Sequence, residues 1–223
     1  MKKLAIFDMA GTTVNDRDEV YRVLREATER EGAIYSDDEF QEFMGTEKKY
    51  AIGRLLSLGG VEPETEVVER AWEWFRAELR RTYESNPPAA LPGVEGALAQ
   101  LRDSGIKVAL TTGFSREITN IILAGLGWDT GEIIDAVAAG DEVESGRPQP
   151  DLIRRVMELT GVDDLGQVIS TGDTSADIQS ARNAGVTSVG VLTGHLTREQ
   201  FEREGADIVI NSVADFPNVD ILR

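Results

Sequence analysis

The sequence predicts an α/β fold, a doubly wound parallel sheet with a helical domain inserted after its first strand. Three observations predict it. Short apolar runs recur along the chain and end at acids, hydroxyl residues or glycines. Helix-like segments separate those runs, and strand alternating with helix is the pattern of a parallel sheet covered on both faces. Between about residues 16 and 85 the alternation stops and only helical patterns remain.

Leu4-Ala5-Ile6-Phe7 is the first run, read as a buried strand that ends at Asp8. Similar runs at Ile106–Thr111, Ile134–Ala138, Val168–Thr171, Ser188–Leu192 and Ile208–Ile210 supply the other strands. Helices are expected at Val94–Ser104, Arg116–Leu126, Asp151–Thr160 and Ala176–Ala184. Within the insert, Val68, Trp72, Phe75, Leu79 and Tyr83 recur at three- and four-residue steps and form one helix face, with Trp72 and Trp74 read as packing residues. Asn86-Pro87-Pro88 reads as a stiff hinge back to the sheet. The expected division is a core of residues 1–15 and 86–223 and a helical cap of residues 16–85.

Bulk properties narrow the function. The 223 residues carry a formal net charge of −17, which repels nucleic-acid backbones and anionic lipids, so neither is an expected partner. No cysteine is present, which excludes disulfides and thiol catalysis. The apolar start is too short for a secretory segment, whose core needs about 7–15 residues, and no run approaches the roughly 18 of a membrane span. A cytoplasmic protein is expected.

Ligands of open α/β sheets bind at the carboxyl ends of the strands. Four polar residues fall at such ends: Asp8, Thr112, Arg147 in Ser145-Gly146-Arg147-Pro148, and Asp173 after Val168–Gly172. A carboxylate nucleophile, a hydroxyl donor, a cation and a second carboxylate form a set suited to phosphoryl transfer. Mg²⁺ needs only one or two carboxylates plus waters, and it would remove the repulsion between Asp8 and Asp173. Gly11 lets backbone approach an anion, and N–H groups after Asp8, those of Ala10, Gly11 and Thr12, are candidates to cradle phosphoryl oxygens, with Gly113 beside Thr112.

These residues stand in four motifs. Phe7-Asp8-Met9-Ala10-Gly11-Thr12-Thr13-Val14, Leu110-Thr111-Thr112-Gly113, Gly146-Arg147-Pro148 and Gly172-Asp173-Thr174-Ser175-Ala176-Asp177 resemble, in order and spacing, the four motifs of the haloacid dehalogenase superfamily. Ala10, where superfamily phosphatases carry a second Asp, and Arg147, where Lys is usual, resemble its phosphonoacetaldehyde hydrolase (phosphonatase) branch. That resemblance implies a Rossmann-like core and Mg²⁺ held by Asp8, the Ala10 carbonyl and Asp173, with Asp177 supporting. It also implies a small phosphonate or phosphate substrate and a homodimer formed through the caps. Met44-Gly45-Thr46-Glu47-Lys48 is similar to the cap motif whose lysine forms a Schiff base with the substrate aldehyde.

Periodicity favours Lys48 over Lys49, because Ala51, Ile52, Leu55 and Leu58 define a helical stripe near whose middle Lys48 falls. An amine on that stripe loses basicity by burial and becomes available for imine formation. The catalytic set implied is then Asp8, Lys48, Thr112 and Arg147, acting on phosphonoacetaldehyde or a related 2-oxoalkylphosphonate. Where that branch has His and Tyr near the lysine, this chain has Ala51 and Phe114. His195 reads as a loop or capping residue. The competing reading is a phosphomonoesterase of the same superfamily acting on a small phosphorylated metabolite.

Overall fold

The computed structural model describes residues 1–219; residues 220–223, the end of the expected core, lie outside the described residues. Strand β1 (Leu4–Asp8) leads into a tight turn and the two-residue strand β2 (Val14–Asn15). Four helices follow: α1 (Glu19–Glu29), α2 (Asp37–Gln41), α3 (Lys48–Leu58) and α4 (Thr65–Ser85). The short strand β3 (Ala89–Ala90) then returns the chain to alternating elements: α5 (Val94–Asp103), β4 (Lys107–Thr111), α6 (Arg116–Leu126), β5 (Ala136–Ala138) and α7 (Asp151–Thr160). The series ends with β6 (Val168–Gly172), α8 (Ser175–Ala184), β7 (Thr187–Val191), α9 (Arg198–Glu204) and β8 (Ile208–Ile210).

The larger sheet has six parallel strands in the order β5-β4-β1-β6-β7-β8. It is the predicted doubly wound sheet. β1 is fully buried, as a central parallel strand must be, and its side chains alternate between two cores. Ala5 and Phe7 face one, where Phe7 meets Phe216 edge-on at 5.0 Å between ring centroids. Leu4 and Ile6 face the other, against Leu152, Val156 and Ala181 of α7 and α8. The chain leaves β1 for β4 and β5 on one side and crosses back to β6 on the other, so the topological switch point lies between β1 and β6. The register pairs Asp8 with Thr111 and Phe7 with Thr171, which brings the ends of β1, β4 and β6 to one edge.

Several expectations shift in detail. The fourth helix packs through Ala71, Phe75, Leu79 and Tyr83, while Val68 and Trp72 are only half-buried. Both tryptophans pack against protein groups: Trp72 stacks on Phe75 at 5.6 Å, and Trp74 lies under the Arg30 guanidinium at 4.7 Å. On α3, Ala51, Ile52, Leu55 and Leu56 are buried, whereas Leu58 turns outward near the helix end. The strand expected at Ile134–Ala138 begins at Ala136.

The insert is joined to the sheet by a hinge that short strands conceal in the sequence. β2 and β3 pair antiparallel, Val14 with Ala90 and Asn15 with Ala89. Arg17 donates to the carbonyls of Asn86 (2.7 Å) and Pro87 (3.3 Å), tying the two crossings together. Arg17 and Asp18 both adopt positive φ, near 60°, so a strained step precedes α1. Beside it Asp16 is buried and accepts from Val20 N (3.1 Å) and Tyr83 Oη (2.8 Å), linking the hinge to both α1 and α4. Asp16→Ala would strand the Tyr83 hydroxyl in an apolar interior, so denaturant unfolding should show a loss of about 1–3 kcal/mol. An unchanged midpoint would show that this link carries no stability.

Candidate functional site

At the sheet's carboxyl edge the turn after β1 closes on itself. The N–H groups of Thr12, Thr13 and Val14 all donate to Met9 O, and Gly11 N donates to Val14 O. This uses the N–H groups of Gly11 and Thr12, which the sequence had offered to phosphate. Among the described residues, no turn or loop bond takes the N–H of Ala10 or Gly113. Thr12 contributes its side chain instead, donating from Oγ1 to Asp173 Oδ1 at 2.8 Å. Gly11 has φ of 86°, and a side chain there or at Gly194 would run into the Asp173 carboxylate. The carboxylate is therefore cradled between two glycines.

Arg147 binds two strand ends and a helix start at once. Its Nη1 reaches Asp8 Oδ1 at 2.6 Å, its Nη2 reaches Thr111 Oγ1 at 2.7 Å, and its Nε lies 3.1 Å from Asp177 Oδ1. All four side chains are buried. Asp177 also caps α8, accepting from Thr174 N (3.0 Å) and Thr174 Oγ1 (2.5 Å), so one carboxylate fixes both the helix start and the arginine. Thr112 is buried and its Oγ1 accepts from Phe114 N (3.1 Å), which leaves its O–H proton for another acceptor.

The electrostatics follow from that crowding. Burial and the neighbouring carboxylates would weaken ionisation of Asp8, and Arg147 only partly offsets this, so its pKa stands above the ordinary range. Asp173 is raised further, by burial and by the charges of Asp8 and Asp177, with Thr12 as its compensating donor. For Arg147, burial opposes charge, but Asp177 and Asp8 outweigh it and hold the guanidinium protonated. Three buried carboxylates thus share one guanidinium, and the edge near Asp8 and Asp173 is short of positive charge. A divalent cation there fits this imbalance. Among the described residues no three acidic, histidine or cysteine side chains form a ready-made metal cage.

The cap loop lies directly on this edge. A side chain at Gly45 would collide with Thr174 Oγ1; one at Gly113 would lie 2.6 Å from Thr46 O; and one at Gly146 would touch Glu47 Cβ at 3.0 Å. Glu47 caps α3 by accepting from Lys49 N (2.9 Å) and Tyr50 N (2.7 Å), which starts the helix at Lys48. Lys48 is only 4% exposed; its Nζ donates to Thr46 O at 2.7 Å and lies 5.9 Å from the ring centroids of both Tyr21 and Phe114. Burial lowers its pKa to about 8, against the pull of Asp8 and Glu47. Lys49 points away and pairs with Glu69 at 2.5 Å.

Sequence reasoning missed several neighbours. Thr111, one residue before the expected Thr112, is the threonine that holds Arg147. Thr193 and Gly194 lie in the turn just after β7, and Thr193 Oγ1 donates to Gly11 O at 2.5 Å; the strand-end rule that found the others could have found these. Tyr21 lines the same cavity, of about 210 Å³, as Gly11, Asp173 and His195, and no motif marks it. His195, expected as a loop residue, reaches Asp18 Oδ1 at 3.0 Å across the hinge and meets the Tyr21 ring edge-on at 6.1 Å.

Residues 5–191 match the family model described as haloacid dehalogenase-like hydrolase. The chain is 32% identical over 237 aligned positions to a phosphonoacetaldehyde hydrolase from Bacillus cereus, covering 92% of this chain and 86% of that one. It is 28% identical to another from Parabacteroides distasonis, covering 97% and 96%. Among solved structures, a phosphonoacetaldehyde hydrolase-like protein from Oleispira antarctica superposes with a TM-score of 0.84 at 26% identity, covering all of this chain and 93% of that one. With its six-stranded parallel sheet, its helical segment after the first strand and this full-length likeness, the chain belongs to the haloacid dehalogenase-like hydrolases and is related to their phosphonoacetaldehyde hydrolases.

Proposed function

We propose that the protein cleaves the carbon–phosphorus bond of phosphonoacetaldehyde or a related 2-oxoalkylphosphonate, through a Schiff base on Lys48 and an aspartyl phosphate on Asp8. The observation that carries this reading is the buried Lys48, its amine made less basic by desolvation, at the start of α3 directly after the cap loop that rests on Gly113, Gly146 and Thr174. The names of the curated relatives favour the same substrate class. In this reading residues 16–85 act as a cap domain over a core of residues 1–15 and 86–223.

The neutral amine of Lys48 adds to the substrate aldehyde; a proton taken from solvent lets the carbinolamine hydroxyl leave as water, and the product is a protonated imine. That imine is an electron sink for the pair in the C–P bond. Asp8 has one carboxylate oxygen held by Arg147, so Oδ2 is the oxygen for in-line attack on phosphorus. The C–P pair moves into the imine and the organic fragment departs as an enamine, which needs no proton. Ala10, in place of a general acid, is compatible with that leaving group. Arg147, the free O–H of Thr112 and the N–H groups of Ala10 and Gly113 stabilise the phosphoryl oxygens. Mg²⁺ held by Asp8, the Ala10 carbonyl and Asp173 would supply charge neutralisation for a dianionic substrate, with Asp177 supporting through Arg147.

Borohydride added with phosphonoacetaldehyde should reduce the imine and attach the organic fragment to the peptide carrying Lys48, as read by mass spectrometry. Lys48→Arg should show no adduct and phosphate release at background. The esterase alternative predicts instead that p-nitrophenyl phosphate is hydrolysed with the higher kcat/KM and that Lys48→Arg leaves this rate intact. A chelator should stop phosphate release and excess Mg²⁺ should restore it, with Asp173→Ala unresponsive to the added ion. Full activity in chelator would remove the metal from the account.

A further inference from the structure

We propose that Tyr21 is a catalytic residue, its hydroxyl relaying a proton between the Lys48 amine and the substrate carbonyl oxygen while the imine forms. This rests on the Schiff-base reading above. Tyr21 stands on α1 in the insert, yet it lines the cavity that holds Asp173, Gly11 and His195. Two aromatic rings flank Lys48 Nζ at the same 5.9 Å, those of Tyr21 and Phe114, and only Tyr21 carries a proton to transfer.

The other described tyrosines are accounted for. Tyr83 donates to Asp16, Tyr35 pairs with Thr28, and Tyr50 faces solvent at 54% exposure. Tyr21 Oη has no protein hydrogen-bond partner among the described residues, although its ring is packed against Phe40 at 6.2 Å and His195 at 6.1 Å. A hydroxyl left unbonded on a ring that flanks the Lys48 amine is free to meet a ligand. Of the other neighbours of Lys48, Ala51 and Phe114 carry no transferable proton, and Thr46 Oγ1 donates to Phe43 O at 2.7 Å.

The step balances without a further reagent. The Lys48 nitrogen pair forms the C–N bond and the carbonyl π pair moves onto oxygen. Tyr21 gives its proton to that oxygen and takes one from the now positive nitrogen, so it ends as it began and a neutral carbinolamine is left. Such relays are worth about 10²–10⁴-fold.

The test is Tyr21→Phe, which keeps the ring and breaks no protein hydrogen bond. With phosphonoacetaldehyde and borohydride quenching at timed intervals, adduct formation at Lys48 should slow by about 10²-fold. Competitive inhibition by inorganic phosphate should not change, because Asp8 and Arg147 are untouched. Adding Phe114→Tyr to Tyr21→Phe places a hydroxyl on the opposite ring and should recover part of the rate. Adduct formation in Tyr21→Phe at the wild-type rate overturns the assignment and leaves the Schiff-base reading standing. Absence of any adduct in the wild-type protein overturns both.

Discussion

A single buried guanidinium organises the carboxyl edge of this sheet. Arg147 touches the strand end of β1 through Asp8, that of β4 through Thr111 and the start of α8 through Asp177. Removing the guanidinium would leave Asp8 and Asp177 buried without their cation, which generally costs several kcal/mol. The geometry of the edge is thus locked by the same contacts that give it its electrostatic character. Three carboxylates around one guanidinium leave the Asp8–Asp173 side negative, an excess that a bound cation would offset.

The insert supplies what the sheet lacks. In the proposed reaction the core edge would supply anion binding and a nucleophile, and Lys48 would bring an amine from the cap. Its helix begins where Glu47 caps it, and its loop rests on glycines 113 and 146, positions at which a side chain would crowd the contact. Desolvation that would be a stability cost for an idle lysine becomes useful when the neutral amine is the reacting form. Stability and chemistry are therefore coupled at the hinge, where Asp16 and Arg17 hold the insert over the edge.

Much of this was legible in the sequence because parallel strands place residues at their ends side by side. Asp8, Arg147 and Asp173 could be read as neighbours once the strands were counted, and helical periodicity separated Lys48 from Lys49. Other features left no such trace. β2 and β3 are two residues each, too short to show alternation. The turn after Asp8 uses the N–H groups of Gly11 and Thr12 internally, a consequence of its tightness that residue types do not reveal. Thr111 is the last residue of β4 and Thr112 the first beyond it, and residue type alone does not show which of the two meets Arg147. Tyr21 belongs to a helix of the insert whose docking angle decides its surroundings, and nothing local encodes that angle.

The central claim is that burial, rather than a change of chemistry, makes Lys48 nucleophilic. Competitive labelling of lysines across pH, resolved by peptide mass spectrometry, measures its basicity directly. The account predicts reactivity that rises with pH through about 8 and then levels, since the neutral amine is the reacting form and its pKa is lowered from 10.5. Reactivity still climbing at pH 10, like that of the surface lysines, would contradict it.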